Sequence, residues 1–312
     1  MNNLLFSFNS VAPLFLIIFL GMICRKINLM SAKTLYELNK VAYRIFVPVF
    51  LFHSISITSI QEVFRIKFFV FSIAAILVIW PIIILSAVLL EKRSLKRGAL
   101  IQGILRTNFA LFGLPLLNNL YGFGQTGIAS FMVAVIIPLL NILAVISLEF
   151  FRGSSFHPQK ALWEIAKNPL IIGSISGLLV LLTGLQLPQF LETTVSNIAQ
   201  VATPLALFVI GGSLEIKKIL ENKYDITVAV IGRLIVVPAL ILPIAILMGF
   251  RGIEAATILA IFASPTAINS YALAMEMESD GDLAAEIVVF TTLISGITIF
   301  LWIFGLKLLN VL

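Results

Sequence analysis

Two stretches of the chain combine a proline with short polar side chains inside otherwise apolar sequence. The first reads Arg106-Thr107-Asn108 and runs on to Gly113-Leu114-Pro115; the second is Ser264-Pro265-Thr266-Ala267-Ile268-Asn269-Ser270-Tyr271. Proline lacks an amide donor and clashes with the carbonyl four residues back, so a helix tends to open there. In lipid an opened helix survives only inside protein or beside a water-filled cavity. Its half-helix N-terminus offers free amides and a positive dipole end, which attract an anion. Asn108, Thr107, Thr266 and Asn269 can add neutral hydrogen bonds there without burying further charge. Arg106 would bring a cation. A charge at a membrane helix centre costs at least about 2.5–3.5 kcal/mol, so it faces a cavity or a partner; snorkelling toward the nearer interface is the competing reading. Arg233 poses the same alternatives.

Other polar residues carry weaker signals. His53 has the chemistry to titrate in a proton-coupled cycle, but a lone histidine near a helix end is more often simply hydrogen-bonded. Asn141 reads as interhelical glue, Glu149 as an interfacial residue, and Gly211-Gly212 as a site of close helix approach. The single cysteine, Cys24, excludes an internal disulfide and argues against a thiolate-held metal. There is no HExxH motif, no GxSxG elbow and no pair of intramembrane aspartates. The expectation is therefore a chain that is not an enzyme, with no catalytic residues, metal or cofactor.

These residues need helices to position them, and composition supplies the class of helix. Of 312 residues, 60% are hydrophobic and 12% charged, with a mean hydropathy of +1.10. A soluble domain carries about twice that charged fraction. Stretches close to the roughly 20 apolar residues that span a bilayer recur at 4–24, 36–57, 67–90, 98–120, 126–150, 168–187, 195–214, 226–249, 254–275 and 284–309. The reading is an all-α membrane protein of ten transmembrane helices. The first stretch lacks a basic leader and is followed by Arg25 and Lys26, which argues against a cleaved signal peptide. Fifteen Lys and Arg lie in or beside the loops after segments 1, 3, 5, 7 and 9, against four (Arg65, Lys67, Arg251, Lys307) on the opposite side. Basic loops stay cytoplasmic, so both termini are expected outside a cell (inner or plasma) membrane. The net charge of +6 is thus topological, and no nucleic-acid partner is expected.

The prolines suggest an internal duplication. Pro13, Pro48 and Pro81 recur as Pro169, Pro204 and Pro238, at offsets of 156, 156 and 157 residues. That divides the chain into repeats at 1–155 and 156–312. Five helices per copy is an odd number, so the copies insert in opposite orientations. Inverted repeats of this kind recur in secondary transporters, with the substrate near the midplane and proline-interrupted helices marking its site.

At these residues the chain resembles the auxin efflux carrier family, the bacterial relatives of plant PIN-type carriers. The resemblance runs over essentially the whole chain. It is carried by Arg106-Thr107-Asn108 with Gly113-Leu114-Pro115, by the stretch 264–271, and by Asp280-Gly281-Asp282-Leu283-Ala284-Ala285-Glu286-Ile287-Val288 running on to Thr291-Thr292-Leu293-Ile294-Ser295. It implies a bile-acid/sodium symporter-like fold. Helices 1, 2, 6 and 7 would form a scaffold and helices 3–5 and 8–10 a moving transport unit, with helices 4 and 9 crossing at broken centres. Asn108, Pro115, Pro265 and Asn269 would frame a site for a small organic anion such as a carboxylate, with protons as a candidate coupling ion. A homodimer through the scaffold helices is a further implication. The segment from Phe151 to Lys167 is short where plant members have a long cytoplasmic loop, so regulation through it is not expected. Sodium coupling, a channel and an intramembrane enzyme stay open as alternatives, and the sequence names neither the substrate nor the direction of transport.

Overall fold

The computed structural model describes residues 2–57, 65–122, 126–152, 167, 169–213, 222–268 and 270–312. These residues are helical apart from turns and one isolated β-bridge. In chain order the helices are α1 (Asn2–Lys26), α2 (Ala32–Val41), α3 (Val47–Ser56), α4 (Ile66–Leu90), α5 (Ser94–Leu105), α6 (Leu114–Tyr121) and α7 (Gly127–Arg152). There follow α8 (Pro169–Thr183), α9 (Gln189–Ser213), α10 (Lys223–Ile231), α11 (Val237–Leu247), α12 (Gly252–Ala263), α13 (Ser270–Glu276) and α14 (Gly281–Leu308). Among the described residues six helices are long and apolar enough to cross a bilayer: Phe6–Lys26, Ile66–Leu90, Gly127–Arg152, Gln189–Gly212, Lys223–Leu247 and Gly281–Leu308. The other expected segments are shorter or interrupted. Large apolar side chains such as Leu16, Val70, Leu85, Leu179 and Leu247 stand on the outer surface, as they must where the solvent is lipid.

Three interruptions share one cause. Five-residue π-helical turns at Ala42–Phe46, Phe109–Gly113 and Gly232–Val236 lead into α3, α6 and α11, each of which has proline as its second residue: Pro48, Pro115 and Pro238. In each case the amide just before the proline reaches five residues back, from Val47 to Ala42, Leu114 to Phe109 and Val237 to Gly232. The widened turn accommodates a ring that carries no donor and crowds the preceding turn. The prolines paired by the 156-residue spacing therefore differ locally, because Pro81 and Pro204 lie inside uninterrupted helices.

The most extensive helix packings are α1 against α9 and α3 against α8, and glycine sets both. A Cβ on Gly177 would lie 2.6 Å from the Phe52 carbonyl oxygen, and one on Gly21 would run into the carbonyl oxygen of Phe208. Gly21 and Gly177 are 156 residues apart, and so are Phe52 and Phe208. Small residues allow this backbone-to-backbone approach, which dispersion and Cα–H···O contacts stabilise where burial against lipid contributes little. Replacing either glycine by valine forces a main chain, rather than a yielding side chain, to move. Each variant is expected to lose about 1–3 kcal/mol or more, read as a lower melting temperature in detergent. An unchanged melting temperature for both would remove the glycine contact as a determinant of packing.

Polar side chains collect at the two ends. Lys96 Nζ lies 2.9 Å from Asp225 Oδ2, and Arg152 Nη2 lies 2.7 Å from Glu278 Oε2. At the opposite end Arg65 Nη1 meets Glu254 Oε1 at 2.9 Å, while Lys67 donates to the Met248 carbonyl.

Candidate functional site

α5 stops at Leu105 and α12 stops at Ala263, both deep in the protein. Beyond them the chain runs extended: Arg106 has φ −75° and ψ 125°, and Ser264 has φ −61° and ψ 150°. The second break follows from Pro265, which denies the preceding residue the helical region. The first break has no proline inside it. Pro115 sits seven residues beyond Asn108, in the first turn of α6, where proline is tolerated; the chain opens instead at Arg106-Thr107-Asn108.

The two extended segments cross and pair. Thr107 and Thr266 form the antiparallel bridge, the Asn108 amide donates to the Pro265 carbonyl at 2.8 Å, and the Ala267 amide donates to the Arg106 carbonyl at 3.4 Å. Side chains lock the crossing. Thr266 Oγ1 donates to the Gly103 carbonyl at 2.6 Å, the Thr266 amide donates to Thr291 Oγ1 at 3.1 Å, and Gln102 Nε2 donates to the Ser270 carbonyl at 3.1 Å.

Arg233 is the main brace. Buried behind the crossing, it donates through Nε to the Ser264 carbonyl (2.7 Å), through Nη2 to Ile261 (2.7 Å) and through Nη1 to Ile104 (3.3 Å), with Leu105 at 3.5 Å. Those carbonyls are the ends of α5 and α12. Each helix C-terminus carries roughly half a negative charge, so one guanidinium offsets both. Of the two readings open for Arg233, the geometry shows a partner, and that partner is the backbone.

Arg106 is placed differently. It is buried, yet its one hydrogen bond to a side chain runs from Nη2 to Asn141 Oδ1 at 2.9 Å, and Nη1 has no partner among the described residues. The Thr107 hydroxyl and the Asn108 side-chain nitrogen are likewise buried without partners. All three residues line a cavity of about 50 Å³, joined by Asn39, Tyr43 and Asn141 and closed by apolar residues including Leu111, Leu140, Leu170 and Ile268. No described residue lining it is acidic. Ala110 and Leu111, also in the wall, belong to the helix Phe109–Tyr121 that starts at the break, so a half-helix N-terminus borders the space. The lining sets one guanidinium among neutral amides and hydroxyls, which both donate and accept, in an otherwise apolar wall.

Of the residues singled out in the sequence, Arg106, Thr107 and Asn108 therefore meet at the cavity. Pro265 and Thr266 stand behind it as parts of the crossing, Pro115 is one helical turn past it, and Asn269 lies outside the described residues. His53 is buried on α3 and lines no part of it. Asn39, Tyr43 and the cavity face of Asn141 were not foreseen. Asn39 and Tyr43 are four residues apart on one helical face, a spacing that could have flagged them.

Comparison with known proteins bears on the chain as a whole. The family model described as membrane transport protein matches residues 6–303. An uncharacterized transporter of Methanocaldococcus jannaschii is 28% identical over 221 residues, covering 69% of this chain and 70% of the relative. A Rhizobium meliloti protein provisionally named a malonate transporter is 24% identical over 300 residues, 93% of this chain and 92% of the relative. An uncharacterized transporter of Methanothermobacter thermautotrophicus is 21% identical, covering 95% and 97%.

Proposed function

The chain belongs to the membrane transport protein family, the auxin efflux carrier family, and on that premise we propose that it carries a small organic anion, such as a carboxylate, across the cytoplasmic membrane by alternating access. The observation that carries the substrate class is that Arg106, Thr107 and Asn108 line one cavity and that each keeps a buried polar atom without a partner among the described residues. Unpaired buried donors cost about 1–3 kcal/mol each, and a carboxylate would satisfy all three. The cavity, about 50 Å³, is several times the ~10–15 Å³ that one water needs, a scale suited to a small acid.

An inverted repeat of ten spans fits the packing. Exchanging helix 1 with 6 and 2 with 7 turns the Gly21–Phe208 contact into the Gly177–Phe52 contact, as a two-fold axis in the membrane plane would require. On this reading α1, α2, α3, α8 and α9 make the scaffold, and the remaining helices carry the crossing. The ionic contacts at opposite ends, Lys96–Asp225 and Arg152–Glu278 against Arg65–Glu254, accord with alternating spans. A sodium-coupled cycle would need carbonyls freed by unwinding, and Arg233 already holds the carbonyls of Ile104, Ile261 and Ser264, which favours a cycle without sodium.

The test is uptake of labelled mono- and dicarboxylates, malonate among them, by the purified protein in liposomes under imposed pH and sodium gradients. Saturable uptake is expected, indifferent to sodium, with kcat/KM falling about 10–100-fold in Asn108→Ala as one donor is lost. Absence of carboxylate uptake by the wild type would overturn the assignment.

A further inference from the structure

The cavity owes its positive charge to the residue that faces Arg106. Asn141 sits on α7, 35 positions further along the chain, and its Oδ1 accepts from Arg106 Nη2 at 2.9 Å. That bond anchors one arm of the guanidinium, and Nη1 is buried with no partner among the described residues. Aspartate has the same shape as asparagine and would make the same contact, but as an ion pair. A carboxylate there would add the attraction between two full charges to the hydrogen bond that the amide already accepts. An anion arriving from water would then have to compete with a carboxylate already in place.

Resting on the anion-carrier reading above, we propose that Asn141 is a positioning residue that sets the charge selectivity of the site. It holds Arg106 by a neutral acceptor, so the cavity lining keeps a net positive charge and accepts a negatively charged ligand. The surroundings support this count. Among the described residues lining the cavity the ionisable side chains are Arg106 and Tyr43; Asn39, Thr107, Asn108 and Asn141 are neutral and the rest are apolar. The second buried cation of the region, Arg233, is committed to the helix ends behind the crossing. A single side chain at 141 therefore decides between a cationic and a neutral site. Arg106 is buried and Asn141 half-buried, and inside a membrane protein an uncompensated charge has little water to screen it.

Wild type, Asn141→Asp and Asn141→Ser are reconstituted in liposomes and assayed with labelled malonate and a panel of mono- and dicarboxylates at neutral and acidic pH. At neutral pH Asn141→Asp is expected to raise KM about 100-fold for each acid the wild type carries, whereas Asn141→Ser, uncharged but shorter, raises it about tenfold or less. Acidification is expected to bring the ratio of the Asp variant's KM to the wild-type KM back toward one, because the introduced carboxyl regains its proton; the Ser variant's ratio stays constant. A merely structural asparagine would not produce that pH-dependent recovery. The proposal is overturned if Asn141→Asp carries these acids with wild-type KM at neutral pH. It is equally overturned if the two variants are impaired alike without recovery in acid, or if Asn141→Asp is not recovered folded, since an isosteric ion pair should be accommodated. A wild type that carries none of the acids removes the transport reading itself, which sets that failure apart from the failure of Asn141 alone.

Discussion

Arg106→Gln is expected to abolish carboxylate uptake, by about 100-fold or more in kcat/KM, while leaving the protein as stable as wild type or slightly more so. The two halves of that expectation have one origin. The guanidinium is buried, donates to Asn141 and leaves Nη1 without a partner among the described residues. Such a group destabilises the resting fold, since burial of an incompletely paired charge costs several kcal/mol. Glutamine keeps most of the apolar stem and retains a side-chain NH2 that can still donate to Asn141. What disappears is the charge, and with it the favourable term that only an anionic ligand realises. Stability given up for binding in this way is common at functional sites. Uptake in liposomes and a melting curve in detergent read the two halves separately. A variant that transports at the wild-type rate would sink the role given to Arg106. One that melts far below wild type would show that Arg106 is a structural residue.

How much of this was legible in the sequence depends on the range of the interaction. Apolar runs and short basic loops are local signals, and they yielded the helical membrane class. Pro265 acts on its own neighbours, so the second break was legible too. The first break was misplaced toward Pro115, because that proline only widens one turn of a helix that runs from Phe109 to Tyr121. The period of 156 residues was visible in prolines. The contacts that give it structural meaning, Gly21 on Phe208 and Gly177 on Phe52, each join helices more than 100 residues apart, and no local pattern announces them. The same holds at the site. Arg106 and Asn108 stood out as polar residues in an apolar run; Asn39 and Tyr43 share a helical face but no more than that, and Asn141 acquires its meaning only from what packs across the cavity.

Arg233 shows the limit most clearly, since in sequence it is the twin of Arg106, and its removal is expected to have the opposite outcome. Arg233→Met keeps length and apolar character but deletes three donors. The carbonyls of Ser264, Ile261 and Ile104 are then left in a dry interior, at about 1–3 kcal/mol each. The two helix ends of α5 and α12 also lose the cation that offset their combined negative charge. Together these terms reach on the order of 5 kcal/mol or more, against a total stability of roughly 5–15 kcal/mol for a folded protein. Arg233→Met is therefore expected to give little or no monodisperse protein. Arg233→Lys keeps the charge, but its single ammonium cannot span acceptors that a planar fork reaches at once. It should be recovered with a melting temperature between the two. Size-exclusion profiles and melting curves of the pair check this ordering. Were Arg233→Met to match wild type in yield and melting temperature, the crossing would have to be held by Thr266, Gln102 and the backbone bridge alone, and the offset of helix charges by Arg233 would carry no weight.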